Sequence, residues 1–383
     1  MELYIHIPFC LKKCRYCDFA SYAGRASMMH PYVDAVLAEA QIEAERLSHP
    51  NIETIFIGGG TPSLLPPEEL VRLMDGIRHC FPIVQNAEIT SEANPGTLTA
   101  DWLHSAVDAG INRLSLGMQV AQPRLLRLLG RIHTLPEVVQ SVDMARQAGI
   151  RNLNLDLMFG LPTQTVDDWQ ETLHAAFSME PEHLSCYGLI PEDGTPLKRD
   201  LDAGRLSLPE EDAERAMYDL TLNLLAAQGY EQYEISNFAK PGYVCKHNLG
   251  YWRQVPYLGF GASSASMIPD ADASNAYLRR SNPASLEQYL SMIRTQDFFA
   301  REETHISPKE AQFETLMLGL RTTQGVSESA FAVMHGVSIE QRYGTILDRL
   351  EKQGLLLHQD GYWRLSRRGM DVQNAILVEF MDD

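Results

Sequence analysis

Residues 4–17 read Tyr4-Ile5-His6-Ile7-Pro8-Phe9-Cys10-Leu11-Lys12-Lys13-Cys14-Arg15-Tyr16-Cys17. An apolar, strand-like segment leads directly into a short loop with three cysteines, spaced C-x3-C-x2-C. A [4Fe–4S] cluster is normally held by four thiolates, so a loop that offers only three leaves one iron without a protein ligand. We therefore expect Cys10, Cys14 and Cys17 to hold a [4Fe–4S] cluster with one iron open to a small molecule.

Two other roles for these thiols are weaker. The chain begins Met1-Glu2-Leu3-Tyr4-Ile5 without a secretory signal, so we expect a cytoplasmic, reducing environment in which disulfides are rare. Zinc closes a tetrahedron with four ligands, and the nearest further donor is His6 on the preceding strand. The remaining cysteines, Cys80, Cys186 and Cys245, are scattered singly, which indicates buried packing.

Length and composition indicate a large globular protein. The 383 residues are 45% hydrophobic, enough for a barrel-sized core and an appended domain. No stretch of about 18 apolar residues occurs, so no membrane span is expected. The formal net charge of -18 argues against a nucleic-acid partner, because phosphate backbones are bound by clustered lysines and arginines.

Short β-branched runs alternate with amphipathic stretches, which is typical of a parallel α/β sheet. The pattern predicts about six β/α units with strands at residues 3–7, 54–57, 87–91, 112–116, 152–157 and 183–187. It predicts helices at residues 32–47, 67–80, 99–109 and 167–178. We therefore expect a partial (β/α)6 barrel whose active site lies where the strands end.

Polar or glycine-rich motifs follow several of these strands. Gly58-Gly59-Gly60-Thr61-Pro62 would let the backbone approach a ligand closely, although a tight strand-to-helix turn explains the run equally well. Glu92, Gln119, Arg131 and Asp156 stand at further strand ends. A carboxylate inside an apolar strand, as at Asp156, is costly to bury unless it meets a hydroxyl or a cation. Ribose hydroxyls would serve, and a structural pair between Asp156 and Arg131 is the alternative.

The motifs together resemble a known family. The C-x3-C-x2-C loop is the signature of the radical S-adenosylmethionine (SAM) superfamily, in which the open iron binds the amino and carboxylate groups of SAM. With YIHIPFC at 4–10, GGGTP at 58–62, EANP at 92–95, GMQ at 117–119, GRIH at 130–133 and DLMFGLP at 156–162, the chain is similar to the oxygen-independent coproporphyrinogen III oxidases and their relatives. The resemblance implies a radical SAM barrel whose SAM site is lined by Tyr4, Tyr16, Gly59, Gly60, Thr61, Glu92, Gln119, Arg131 and Asp156.

Two departures separate the chain from the decarboxylating oxidases. The oxidases have a fourth cysteine two residues after the third, where this chain has Phe19, and they carry an extension ahead of the first strand. Both departures resemble the paralogous branch of HemW haem chaperones. The expected function is thus a haem chaperone with a three-cysteine cluster and SAM that passes haem to acceptor haemoproteins. The alternative is an oxidase-type radical SAM enzyme, and the sequence assigns no catalytic residue.

A segment after the barrel favours the chaperone. Residues 245–252 read CKHNLGYW and combine an imidazole with two aromatic rings. Histidine is a natural haem ligand and aromatic rings pack on porphyrin faces. The HNxxYW pattern, which the resemblance associates with haem binding, makes His247, Tyr251 and Trp252 the haem-binding residues. Cys245 offers a competing thiolate, and a satisfied core histidine is the structural alternative.

After residue 300 the sequence pattern changes from alternating strands and helices to consecutive helices. Helices are predicted at 310–321, 327–335 and 339–353, capped by Ser327 and Ser338, and a hairpin at 355–358 and 362–365. We expect a radical SAM core at 1–240, a connecting segment at 241–300 and a winged-helix-like α+β domain at 301–383. Acidic residues in the third helix disfavour DNA binding, so the domain is expected to dock a partner or cover haem. This view fits respiratory haemoproteins as acceptors. It also fits peripheral contact with membrane-associated partners and a homodimer.

Overall fold

The computed structural model describes residues 1–270 and 276–381. Its strands are, in chain order, β1 (Glu2–Ile7), β2 (Phe9–Cys10), β3 (Tyr22–Ala23), β4 (Ile52–Gly59), β5 (Ile83–Ala93), β6 (Arg113–Gln119), β7 (Asn152–Phe159), β8 (His183–Gly188), β9 (Glu231–Gln232), β10 (Asn237–Ala239), β11 (Tyr257–Phe260), β12 (Ala265–Pro269), β13 (Tyr277–Ser281), β14 (Glu302–Ile306), β15 (Val326–Ser327), β16 (Leu356–Gln359) and β17 (Tyr362–Leu365).

The helices are α1 (Met29–Arg46), α2 (Pro67–Cys80), α3 (Ala100–Asp108), α4 (Pro123–Leu129), α5 (Leu135–Gln147), α6 (Val166–Phe177), α7 (Pro196–Asp202), α8 (Glu211–Ala227), α9 (Lys246–Trp252), α10 (Leu286–Thr295), α11 (Pro308–Gly319), α12 (Glu328–His335), α13 (Ile339–Lys352), α14 (Arg367–Asp371) and α15 (Gln373–Val378). Short 3-10 turns cover Ala26–Met28, Pro62–Leu64 and Phe298–Ala300.

The predicted α/β fold class is confirmed. Strands β1, β4, β5, β6, β7 and β8 pair in parallel in that spatial order, and they correspond to the six predicted strands. Helices cross between them, as parallel strands require. Strand β11 adds a further parallel neighbour to β1, and β10 pairs antiparallel with β8. Strand β6 ends later than the sequence indicated, at Gln119. Its register with β7 shifts between Gly117 and Gln119.

Alternation along β1 separates the core from the barrel interior. Leu3, Ile5 and Ile7 are fully buried in the hydrophobic layer shared with the helices, where burial of each such side chain contributes about 1.5–3 kcal/mol. Tyr4 and His6 alternate with them and therefore point to the opposite face of the sheet. This alternation directs polar side chains into the barrel.

Residues 241–300, expected as a connecting segment, contribute directly to the large sheet. Strands β11, β12 and β13 continue it beyond β1, and β14 extends it to Ile306, five residues past the expected start of the C-terminal domain. A buried cluster fastens this extension to α1: Arg301 bonds Glu39 at 2.6 Å and Glu43 at 2.7 Å. Tyr289 of α10 also donates to Glu39.

The C-terminal residues form a second core around α11, α12 and α13 and a sheet ordered β15-β17-β16. The predicted helices and hairpin are present, within a few residues of their predicted ends. Ser327 and Ser338 cap α12 and α13 as predicted, and Ser338 forms a capping box with Gln341. The arrangement is winged-helix-like. In the described parts of the chain, no helix is both long and apolar enough to cross a membrane.

Gly344→Ala should stabilise the C-terminal domain by about 0.5–1 kcal/mol, because glycine within a helix costs backbone entropy. Gly344 lies inside α13, and a Cβ there meets only the Cβ of Glu340 at 3.9 Å. Urea unfolding measures the change. Gly325→Ala is the matched contrast: its φ of +84° and the nearby Trp363 carbonyl predict destabilisation. A lower unfolding midpoint for Gly344→Ala would contradict this account.

Candidate functional site

The three cysteines of the signature lie together at the carboxyl ends of the parallel strands. All three are free and partly exposed, and Cys10 ends the short strand β2. They line a cavity of about 130 Å³. The other predicted site residues that line the same cavity are Tyr16, Gly59, Gly60, Glu92, Gln119, Arg131 and Asp156. Seven of the nine residues predicted for SAM thus surround the cysteines; Thr61 and Tyr4 lie elsewhere.

The glycine run allows close packing between β4 and the cysteine loop. A Cβ on Gly60 would lie 2.7 Å from the carbonyl oxygen of Phe9 and 2.8 Å from that of Ile7. Gly59 has φ +107°, and a Cβ there would overlap the ring of His6. Each glycine is therefore required by sterics, so the run is more than a generic turn.

Glu92 lies beneath this glycine turn. Its carboxylate accepts a 3.0 Å hydrogen bond from the backbone N–H of Gly59. Burial, together with the charge of Asp156, raises the pKa of Glu92 to about 7. Two carboxyl groups thus share one cavity, an arrangement that a cationic ligand would stabilise.

Asp156 takes its hydrogen bonds from Ser115 and Asn154, each at 2.9 Å, rather than from Arg131. The alternative in which Asp156 and Arg131 form a structural pair is therefore wrong. Burial raises the pKa of Asp156, although both of these hydrogen bonds favour its charged form.

Arg131 instead links two of the cysteines. It donates to Cys14 Sγ at 3.4 Å, to the carbonyl of Gly117 at 3.0 Å and to Asn94 Oδ1 at 2.5 Å. The amide of Asn94 donates to Thr61 Oγ1 at 2.7 Å, and Thr61 Oγ1 lies 3.6 Å from Cys10 Sγ. Thr61 lines a smaller adjoining cavity. Asn94 was not predicted as a site residue, although it stands in the EANP motif beside Glu92.

Gln119 holds a strained position at the end of β6. Its φ is +59°, a left-handed value that is uncommon for a residue other than glycine. The side chain is buried, and its Oε1 has no hydrogen-bond partner among the described residues. Strain and an unpaired polar atom in one side chain are typical of a ligand-binding position.

His6 forms hydrogen bonds through both ring nitrogens, one of them to the cysteine loop. Nε2 is 2.8 Å from the carbonyl of Ala20, so it carries the proton, and Nδ1 accepts from the Tyr4 hydroxyl at 3.0 Å. Burial lowers the pKa of His6, in agreement with a neutral ring. Because both nitrogens are engaged, His6 is not the fourth zinc ligand that the zinc alternative required. Tyr4 itself lines a second cavity.

This second cavity is larger, about 510 Å³, and five of its twelve described lining residues carry aromatic rings. His247 and Tyr251 of α9 line it, whereas Trp252 does not. His247 is 1% exposed; its Nδ1 lies 2.7 Å from Thr54 Oγ1, and its Nε2 lies 2.9 Å from the Tyr251 hydroxyl. Burial and the charge of Arg113 lower the pKa of His247 to about 3, so the ring is neutral. The other lining residues are Tyr4, Phe56, Asn248, Gln254, Tyr257, Ser263, Ala265, Met267, Arg279 and Leu318.

Cys245 is fully buried and donates from its thiol to Glu88 at 3.4 Å. Burial raises the pKa of the thiol to about 12, so Cys245 is not the competing thiolate that the sequence suggested. Glu88 also accepts from the backbone N–H groups of Lys246 and His247, each at 3.1 Å. This carboxylate, which sequence reasoning missed, therefore caps α9 and positions His247.

Comparisons with known proteins identify the family of this chain. Residues 4–176 match the Radical SAM superfamily, and residues 306–372 match the HemN C-terminal domain. The haem chaperone HemW of Bacillus subtilis is 37% identical over 99% of both chains. The chain belongs to the HemW family. The Escherichia coli HemW is 36% identical over 100% of this chain and 98% of its own.

This HemW family member shares its fold with an enzyme whose structure has been solved. Coproporphyrinogen III oxidase (HemN) from Escherichia coli superposes with a TM-score of 0.84 at 24% identity, over 99% of this chain and 89% of the oxidase. The radical SAM superfamily implies a [4Fe–4S] cluster and SAM. The donor set fits both, because three free thiols, two half-buried carboxylates and a Gln119 oxygen without a partner among the described residues surround one cavity.

Gly60→Ala should displace the cysteine loop, because the added Cβ meets backbone atoms that cannot rotate away. We expect a clear fall in the iron and sulfide that the reconstituted protein retains and a loss of stability of about 1–3 kcal/mol. Iron and sulfide analysis with thermal unfolding measures both. Retention of the full cluster at unchanged stability would show that the glycine turn does not support the loop.

Proposed function

We propose that this protein is a haem chaperone that holds haem, a three-cysteine [4Fe–4S] cluster and SAM, and passes haem to acceptor haemoproteins. The observation that carries the proposal is a large aromatic cavity with His247 in its wall, separate from the cysteine cavity. The names of the HemW relatives support it. The acceptors are proposed only as a class.

Cys10, Cys14 and Cys17 would hold the cluster. The proposed SAM site comprises the glycine turn, Glu92 and Gln119, with Asp156 available to ribose hydroxyls. A reduced cluster of this type supplies an electron to the sulfonium of SAM. The raised pKa of Glu92 supports this arrangement, because a cationic amino group placed beside the carboxylate would restore its charge. Arg131, which donates to Cys14, would stabilise a thiolate there.

His247 is the proposed iron ligand. Thr54 lies between His247 Nδ1 and the carboxyl group of Glu2. When its hydroxyl donates to Glu2, the Thr54 oxygen accepts a hydrogen bond from the protonated Nδ1, and Nε2 keeps a free electron pair. Such a partner on the second nitrogen orients metal-binding histidines generally. Nε2 would exchange its hydrogen bond with Tyr251 for iron, and Phe56, whose ring stacks on His247 at 5.3 Å, would remain in place.

A radical SAM enzyme acting on a porphyrinogen is the second candidate. The shared fold and the assembled cysteine cavity favour it. Phe19 disfavours it, because this side chain is exposed at the rim of the cavity at the position where the oxidases have a fourth cysteine.

One anaerobic experiment separates the two functions. The cluster is reconstituted, SAM and reductant are added, and the protein is incubated with haem or with coproporphyrinogen III. The chaperone predicts stoichiometric haem binding and no decarboxylated product. Conversion to protoporphyrinogen with release of 5'-deoxyadenosine would establish the enzyme instead.

Replacing Cys14 with serine should abolish the cluster and leave most of the fold, because the barrel core is formed by strands and helices away from the loop. Iron and sulfide content, with far-UV circular dichroism, measures both effects. Cys80→Ser is the control, since Cys80 lies on α2 outside the cavity and should retain the cluster. Full iron and sulfide content in Cys14→Ser would refute the ligand assignment.

His247→Ala should weaken haem binding at least tenfold while the cluster remains, because haem iron would lose the imidazole proposed to hold it. Haem titration followed by the Soret band measures the affinity. His104→Ala removes an exposed imidazole on α3 and controls for surface binding. An unchanged affinity and spectrum in His247→Ala would exclude His247 as the ligand.

A further inference from the structure

The 510 Å³ cavity lies between the large sheet and the C-terminal domain. Tyr4 of β1 and His247 of α9 form one side, Met267 of β12 and Arg279 of β13 another, and Leu318 of α11 closes it. Arg279 is the one lysine or arginine among the described lining residues. In the described part of the chain, the cavity wall thus combines aromatic rings with a single guanidinium.

That guanidinium is paired with a carboxylate from the C-terminal domain. Arg279 Nη2 donates to Glu314 Oε2 at 2.9 Å. The same oxygen accepts a 3.3 Å bond from Gln254, and Gln254 also accepts from the hydroxyl of Thr315. Arg279 is 39% exposed and Glu314 18%, so the pair is reached by solvent without being fully hydrated.

These contacts connect α11 to the helix that carries His247. Gln254 lies two residues beyond the end of α9 and has φ +53°, a left-handed value for a residue that is 1% exposed. A backbone in this conformation persists only when its surroundings hold it. Glu314 and Thr315 both bond the Gln254 side chain, so they contribute to holding the chain just beyond α9.

We propose that Arg279 anchors a carboxylate of a bound tetrapyrrole, and that Glu314 occupies the guanidinium until that carboxylate replaces it. This inference rests on the proposed haem-binding function. The Arg279–Glu314 pair, called the latch below, then holds α11 to the sheet until the ligand binds. When the ligand carboxylate replaces that of Glu314, Arg279 keeps one carboxylate partner, and Glu314 no longer ties α11 to the cavity wall.

The chemistry of the ligand fits this anchor. A haem-type porphyrin combines a flat apolar ring with propionate side chains, and guanidinium binds carboxylate through two parallel hydrogen bonds. The rings of Phe56, Tyr251 and Tyr257 supply apolar surface for the macrocycle. A protein with a formal net charge of -18 repels a dianionic ligand, so one arginine in the wall has a large effect on capture.

The test compares haem with its dimethyl ester, whose propionates carry no charge. In the full-length protein, Arg279→Gln should weaken haem binding about tenfold and leave ester binding unchanged. Glu314→Gln, which removes the competing carboxylate and keeps its shape, should tighten haem binding several-fold. Arg367→Gln is the control, because the Arg367–Asp219 pair also joins the C-terminal domain to the barrel, away from the cavity.

The outcomes separate this inference from the proposed function. No haem binding by the wild-type protein would refute the haem chaperone. Haem binding by the wild type together with unchanged affinity in Arg279→Gln would overturn the anchor alone. Equal losses of haem and ester affinity would show that Arg279 is structural, which also overturns it. Glu314→Gln provides an independent result if Arg279→Gln does not fold: weaker or unchanged haem binding there contradicts the latch.

Discussion

The contact between Gly60 and the backbone of the first strand and cysteine loop is the constraint on which the site depends. Gly60 donates to the carbonyl of Ile7 at 2.8 Å, and it approaches Phe9 more closely than any side chain would permit. The two strand ends therefore meet, and the cysteines are held above them. Arg131 and Asn94 then join Cys14 to Cys10 through Thr61. Local sterics thus determine where the thiols lie.

The protein has two chemically different cavities, one at the barrel mouth and one between the large sheet and the C-terminal domain. The cysteine cavity is small and polar, with Glu92 and Asp156 on its walls, whereas the second is large and aromatic. Tyr4 connects them, because it lines the second cavity and donates to His6, which also bonds the cysteine loop at Ala20. Such a connection gives a physical route by which occupation of one cavity can affect the other.

The C-terminal domain contributes to the second cavity as well as packing beside it. Leu318 and Glu314 place α11 against the cavity wall and the adjoining Arg279. A ligand carboxylate bound to Arg279, as proposed, would compete with a contact between the two parts of the chain. This is a useful property in a carrier, because release requires that binding be reversible. Because Leu318 and Glu314 belong to the winged-helix-like domain, the position of that domain would affect haem capture.

The sequence by itself determined the six parallel strands, the helix caps and the cysteine loop, because periodicity, capping and ligand spacing are local properties. Only the tertiary structure decided how side chains meet across elements. It turned Tyr4 toward the second cavity, engaged both nitrogens of His6, and buried Cys245 against Glu88. It also made Asn94 a bridge between Thr61 and Arg131. These outcomes depend on contacts between residues far apart in the chain, which no local pattern encodes.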